Sequence, residues 1–164
     1  MSWYSAVCAL ETLRHVLACS YTATSTPPRR LVPDACIDVV AISDGGLWVC
    51  GPERTGWDFE LPHGWRSIGV RFRPGAAPAV LGVSAAMLAD RRWRLRDVLG
   101  VDVERRLAVH LCVLPFAANH MTPSVDEVAG VSNSFLVHLV CRHINSADAL
   151  NAPGTLPRQS TTAR

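Results

Sequence analysis

Two pairs of charged residues lie inside otherwise apolar parts of the sequence. Asp34 and Asp38 flank Cys36 at a spacing of two, which on a β-strand puts them on one face. Arg71 and Arg73 form a matching pair in a second apolar, strand-like stretch. Because an unpaired buried carboxylate is costly, we expect Asp38 to pair with Arg71 or Arg73. Such a cluster is either a buried ion pair that fixes strand register or the polar floor of a small-molecule pocket.

The sequence lacks the patterns of common catalytic and metal sites. It has no glycine-rich phosphate loop, no Gly-x-Ser-x-Gly nucleophile elbow and no His-x-His pair of the cupin type. Two pairs of metal-ligating residue types stand two positions apart: His110 with Cys112, and Cys141 with His143. Residues two apart on a helix do not face each other, and neither pair has a second pair nearby. We therefore expect no enzymatic activity, no metal and no cofactor.

A cluster of arginines surrounds Trp93, namely Arg91, Arg92, Arg94 and Arg96. Basic residues beside an aromatic ring can contact nucleic acid. Here Asp90 and Asp97 bracket the cluster, and arginines alternate with Trp93 and Leu95. That alternation favours a half-buried edge strand with a solvated face.

Composition excludes several classes of protein. The 164 residues, 49% hydrophobic and 18% charged, can bury a core and are unlike a disordered or collagen-like chain. All 16 basic residues are Arg, and a formal net charge of +2 excludes a strongly basic DNA-coating protein. There is no signal-peptide pattern, and no apolar run reaches the roughly 20 residues that span a bilayer. We expect a cytoplasmic chain without membrane contact, its six cysteines reduced.

The first part of the chain has the pattern of short strands separated by turns. Residues 36–42 and 47–50 predict a hairpin closed by a glycine-containing turn. Residues 57–61 and 65–72 predict two strands separated by a turn at Pro62-His63-Gly64. Short strands at this spacing are typical of a small β-barrel or sandwich.

The segments before and after these strands also have patterns that predict secondary structure. Residues 5–19 have the apolar spacing of a short helix or turn leading into a strand over 15–24, which Pro27-Pro28 would end. Further along, Ser84 has the position of a helix N-cap. Helices are expected over residues 76–81, 84–89, 95–99 and 103–114. An order in which the strands come first along the chain and the helices follow predicts the α+β class.

Residues 31 to 100 resemble a known family. The stretch from Leu31 to Val40, LVPDACIDVV, resembles the "LPDGC-DL" signature of one subgroup of AraC-family transcriptional regulators, with Ala35 where that signature usually has Gly. The pattern continues, in order, through Gly51-Pro52, Gly69 to Ala77, Leu81-Gly82-Val83, Leu95, Asp97 and Gly100. The resemblance is to the N-terminal sensor-like domain. It implies a cupin-like, β-rich regulatory domain followed by a DNA-binding domain with two helix-turn-helix units.

The segment after residue 115 resembles only part of such a DNA-binding domain. Residues 124–129 resemble the first helix of one helix-turn-helix unit, Gly130-Val131-Ser132 its turn and residues 134–143 its recognition helix. The residues that would then contact DNA are Ser132, Asn133, Ser134, His138 and Arg142. Arginines and acidic residues balance over 116–164, which favours the alternative of a helical hairpin that packs on the domain without touching DNA.

These observations predict three segments. Residues 1–115 form a β-rich sensor or dimerisation domain, 116–144 a helical segment with a degenerate helix-turn-helix, and 145–164 a disordered tail. The resemblance implies a truncated bacterial AraC-type regulator that controls transcription through DNA in response to a small-molecule effector, as a homodimer or a heterodimer with a full-length relative. The alternative is a stand-alone ligand-binding or dimerisation module that does not bind DNA.

Overall fold

The chain folds around a six-stranded antiparallel β-sheet. The computed structural model describes residues 3–43 and 46–112, and its strands lie in the order β1-β2-β5-β3-β4-β6. Their bounds are β1 Tyr4–Cys8, β2 Leu17–Leu31, β3 Asp38–Ile42, β4 Leu47–Cys50, β5 Trp57–Phe72 and β6 Arg92–Arg94. β5 therefore lies near the middle of the sheet, with β2 on one side and β3 on the other.

A 3-10 turn and four short helices complete the described fold. The turn is Glu11–Leu13, and the helices are α1 Ala77–Leu81, α2 Ala85–Leu88, α3 Leu95–Leu99 and α4 Val101–Cys112. The predicted N-cap is confirmed, because the Ser84 hydroxyl accepts a hydrogen bond from the Met87 amide at 3.3 Å. Among the described residues, no helix is both long enough and apolar enough to cross a membrane.

The helices pack against one face of the sheet. Side chains alternate between the two faces along a strand, so Ile68, Val70 and Phe72 of β5 point together into the core. Val39 of β3 and Trp93 of β6 join them there. The helices contribute their own buried side chains: Ala77, Val80, Leu81, Leu88, Leu95 and Leu107. The alternate residues of the same strands face the other way, and they build the site described below.

The N-terminal region differs from its prediction. A strand, β1, and one 3-10 turn stand where the sequence predicts a helix or turn, and β2 continues through Pro27-Pro28 to Leu31. Among the described residues, only β1 pairs with this side of β2, and it covers only the first half of the strand. The prolines therefore lie on an unpaired stretch, where no N–H is needed on that side. They also fall at a register irregularity between Thr26 and Arg29. The prolines therefore bend the strand without ending it.

β5 also runs through a predicted turn. The segment Pro62-His63-Gly64 lies inside one strand of 16 residues instead of separating two. The register to β2 shifts there, which leaves residues 62–65 as a bulge opposite Ser25. Gly64 has a φ of +80°, and its amide donates to the Ser25 hydroxyl at 3.3 Å. The turn-forming residues thus produce a bulge, because β2 pairs with β5 on both sides of them.

The α+β prediction is confirmed. The hairpin predicted over residues 36–50 is β3–β4, and the strand predicted around Trp93 is the edge strand β6. The barrel part of the prediction is not confirmed: within residues 3–43 and 46–112, β1 and β6 are the two edges of an open sheet. The segments 116–144 and 145–164 lie outside the described residues.

Candidate ligand-binding site

A cavity of about 660 Å³ lies on the sheet face opposite the core. On β3, Val39 and Ala41 point into the core, so the alternate residues Asp38 and Val40 point into the cavity. Six aromatic side chains line the cavity: Trp3, Tyr4, Tyr21, Trp48, Trp57 and Phe59. Apolar walls with a few converging polar groups, at this volume, are typical of small-molecule sites.

The polar floor of the cavity is built from Arg71, Asp38 and Asp34, which we call the acidic triad. Arg71 and Asp38 are direct cross-strand partners on β5 and β3. Arg71 Nε donates to Asp38 Oδ1 at 3.0 Å, and Nη2 donates to Oδ2 at 2.9 Å. Arg71 Nη1 lies 2.9 Å from Asp34 Oδ2. One guanidinium is therefore shared by two carboxylates, which leaves the triad with a net negative charge.

The three members of the triad differ in exposure. The Asp38 side chain is 14% exposed, that of Arg71 30% and that of Asp34 42%. The hydrogen bonds with Asp38 raise the pKa of Arg71 above its ordinary value, so the guanidinium stays charged at any pH at which the chain is folded. Asp34 is held at the mouth of the cavity, where its Oδ1 accepts the Cys36 amide at 3.0 Å.

Tyr21 covers the triad from β2. Its hydroxyl donates to Asp38 Oδ2 at 3.2 Å, and its ring centroid lies 5.8 Å from the Arg71 guanidinium carbon. Burial and the neighbouring Asp38 carboxylate raise the pKa of Tyr21 well above its ordinary value. Tyr21 stays neutral and completes the hydrogen bonding of the buried carboxylate.

A second tyrosine extends this cluster to the sheet edge. Tyr4 of β1 stacks on Tyr21 with ring centroids 5.4 Å apart. Its hydroxyl is hydrogen-bonded to the Cys19 thiol, and burial raises the pKa of Tyr4 to about 12. The edge strand β1 thereby supplies one wall of the cavity.

Two arginines lie against the tryptophans of the opposite wall. The Arg92 guanidinium carbon is 3.9 Å from the Trp57 ring centroid, and that of Arg94 is 3.9 Å from the Trp48 ring centroid. Arg92 Nη2 also donates to Glu53 Oε1 at 2.8 Å. These two arginines belong to the cluster around Trp93, which is itself buried, and Arg92 also lines the cavity.

The structure brings together three of the four charged residues singled out in the sequence. Asp34, Asp38 and Arg71 meet in the triad. Arg73 does not: it follows the end of β5 and donates to the Arg14 carbonyl, away from the cavity. The residues proposed for DNA contact, Ser132, Asn133, Ser134, His138 and Arg142, lie outside the described residues. Within the part of the chain that is described, no three His, Cys, Asp or Glu side chains are placed to hold a metal ion.

Residues 9–94, just over half of the chain, match a protein family described as "Domain of unknown function (DUF6597)". The chain belongs to this family. No curated protein and no solved structure shows a significant match. The DUF6597 segment includes the whole acidic triad and Tyr21, whereas β1 with Tyr4 precedes it.

Sequence reasoning missed the aromatic walls of this DUF6597 cavity. Trp48 alternates with the core residues Leu47 and Val49 on β4, and this alternation is a signal that its ring faces away from the core. Tyr21 gives no such signal, because a bulge in β2 between Leu17 and Cys19 changes which residues share a face. Its place over the triad depends on the register of strands far apart in the sequence.

Proposed function

We propose that the DUF6597 domain binds a small organic molecule in the aromatic cavity. The observation that carries this proposal is a net-negative triad at the base of an aromatic-lined cavity, on the sheet face opposite the described helices α1 to α4. An ion pair that served only to hold β3 against β5 would not need six aromatic side chains around the space in front of it. Aromatic walls offer a large apolar contact area, and the triad offers hydrogen-bond acceptors that orient a ligand.

The charges and hydrogen-bonding groups of the triad determine which polar group (head group) of a ligand the site can bind. Arg71 directs three of its five N–H groups at the two carboxylates, and their two negative charges outweigh its single positive charge, which disfavours an anionic ligand. Asp34, the most exposed member, retains acceptor capacity at the mouth of the cavity. The site therefore fits an aromatic body with a donor head, either a protonated amine or a hydroxyl group.

Three probes with one aromatic body test this proposal: phenethylamine, phenylethanol and phenylacetate. Binding is followed by tryptophan fluorescence and by the thermal midpoint of unfolding. We expect the amine and the alcohol to bind and phenylacetate not to bind. The variant Asp34→Asn should weaken amine binding about tenfold, which corresponds to about 1.4 kcal/mol. Asp97→Asn, the same change at an exposed position outside the cavity, is the matched control and should bind as the wild type does.

The alternatives give different results. If none of the three probes binds, the triad is a structural ion pair and the proposal is wrong. If phenylacetate binds best, the cavity is a binding site but the inferred head group is wrong.

The biological role we propose for this domain is ligand-responsive control of transcription. The resemblance of residues 31 to 100 to the sensor-like domain of AraC-type regulators supports this role. The same resemblance implies a fold related to the cupins and a cytoplasmic location. Ligand occupancy would act on the helices that follow β6, since α3 begins directly after that strand. A second candidate is a ligand-binding or dimerisation module without DNA affinity, which the balanced charges of residues 116–164 favour.

DNA binding separates these two roles. The purified chain is titrated into fluorescently labelled DNA from upstream of its own gene, and anisotropy is followed at low and at moderate salt. Sequence-selective binding that survives moderate salt supports the regulator. Absence of binding, or weak binding that salt abolishes, supports the module that acts through protein contacts.

A further inference from the structure

Two cysteines face each other across the edge of the sheet. In the register of β1 and β2, Cys8 lies directly opposite Cys19. Both thiols are free, that of Cys8 exposed and that of Cys19 half-buried. Of the four cysteines whose side chains the structure describes, Cys36 and Cys50 have no cysteine opposite them in the strand pairings.

The hydrogen-bond pattern of the two strands makes Cys8 and Cys19 a close pair. The Thr24 amide donates to the Trp3 carbonyl at 2.9 Å, which makes Trp3 and Thr24 a hydrogen-bonded pair. Such pairs alternate with non-hydrogen-bonded pairs along an antiparallel ladder, and the register from Tyr4 to Cys8 has no irregularity. Cys8–Cys19 lies five positions along this register from Trp3–Thr24, and because five is odd, it is a non-hydrogen-bonded pair. The Cα atoms of such pairs are about 4.5 Å apart, within the range that a disulfide spans.

We infer that Cys8 and Cys19 are a redox-active pair, which a peroxide converts into a cross-strand disulfide. Peroxide oxidises the exposed Cys8 thiol to a sulfenic acid and is reduced to water. The Cys19 sulfur then attacks the Cys8 sulfur, the S–O bond breaks, and the hydroxyl group leaves with the Cys19 proton as a second water. One peroxide thus removes two protons and two electrons from the two thiols and is reduced to two waters.

The environment of each thiol fits its part in this sequence. Cys8 is on the outermost strand, where a solvent oxidant reaches it. Cys19 is half-buried beneath the edge strand, so it is a poor first target for an oxidant in solvent. Its place directly opposite Cys8 makes it the resolving thiol once Cys8 carries an oxygen.

The disulfide would act on the wall of the cavity. Cys19 is hydrogen-bonded to the Tyr4 hydroxyl, and Tyr4 stacks on Tyr21. Oxidation consumes the Cys19 thiol and ties β1, the strand that carries Tyr4, covalently to β2. The pair is therefore placed to couple the oxidation state of Cys8 and Cys19 to the position of the Tyr4 side chain in the cavity wall. This inference stands on strand geometry and does not depend on the identity of the ligand.

Peptide mapping of the full chain tests the pair directly. The protein is treated with hydrogen peroxide, its remaining thiols are alkylated, and it is digested with trypsin without reduction. Arg14 lies between the two cysteines, so trypsin separates them into the peptides 1–14 and 15–29. We expect these peptides to appear joined by a disulfide, and the thiol count of the denatured chain to fall by two. The joined peptides should appear equally in Cys36→Ser, the matched control, and be lost in Cys8→Ser and in Cys19→Ser.

Other outcomes would overturn the inference. They are a disulfide between Cys8 and any other cysteine, a disulfide between two chains, or Cys8 oxidised beyond the sulfenic acid with no joined peptide. Peptide mapping of the wild-type chain, together with non-reducing electrophoresis of the undigested protein to separate single chains from joined ones, decides among them even if a variant fails to fold.

Discussion

The ring of Tyr21 occupies the space in front of Gly69, its direct cross-strand partner on β5. A β-carbon at Gly69 would lie 2.5 Å from Cζ of Tyr21. Glycine is needed at this position for close approach, because the tyrosine ring must cross β5 to reach Asp38 on the next strand. The absence of one side chain on the central strand thus lets a second strand complete the triad.

The first prediction concerns this close contact. Gly69→Ala should lower the free energy of unfolding by about 2 kcal/mol, because the new methyl group forces the Tyr21 ring off Asp38. Urea denaturation measures the loss. In a Tyr21→Leu background the same substitution should cost much less, since the ring it meets is gone. Equal costs in both backgrounds would show that the contact is not the cause.

A second prediction separates the two carboxylates of the triad. Asp38→Asn leaves a half-buried guanidinium without its bidentate charged partner and should cost about 2 kcal/mol of stability. Asp34→Asn alters a more exposed contact and should cost less than about 1 kcal/mol. Chemical denaturation of the two variants at one pH provides the comparison. A larger loss for Asp34→Asn would contradict the assignment of Asp38 as the structural partner of Arg71.

The third prediction is a loss of stability in alkali. Burial raises the pKa of Tyr4 from 10 to about 12, so in this range the unfolded chain loses the Tyr4 proton while the folded chain keeps it. The unfolded state then binds fewer protons, and the stability contributed by the neutral phenol, fully present below pH 10, is lost as pH rises from 10 to 12. Tyr21, whose pKa is also raised, acts in the same direction.

Ultraviolet absorbance of tyrosinate measures this effect directly. The chain has two tyrosines, and both are in the cavity wall. In the native protein neither should titrate at its ordinary pH, and their ionisation should coincide with alkaline unfolding followed by circular dichroism. In urea both should titrate near pH 10. Ionisation of either tyrosine near pH 10 in the folded protein would show that its ring is not buried as described.

Some of this architecture follows from the sequence. The β3–β4 hairpin is readable because two apolar runs flank a glycine-containing turn. Asp38 and Arg71 are conspicuous because each is a charge within an apolar, strand-like stretch, and pairing lowers the cost of burying both. The sequence does not decide between Arg71 and Arg73 as the partner of Asp38; the register of β3 against β5 does.

Other parts depend on contacts that no local pattern contains. Pro27-Pro28 and Pro62-His63-Gly64 have the composition of chain breaks, yet both lie within long strands because β2 and β5 pair around them. The proximity of Tyr21 to Gly69, and of Cys8 to Cys19, depends on strand register. Register is set jointly by the whole sheet, so neither residue of a pair signals its partner.

The central position of β5 has a consequence for how the chain reaches this structure. Until residue 57 has been synthesised, only two hairpins can form, β1 with β2 and β3 with β4. Isolated two-stranded hairpins are marginally stable in water. They become one sheet only when β5, arriving later on the ribosome, inserts between β2 and β3. Contacts this distant along the chain form slowly, so assembly of the sheet should be a late and cooperative step.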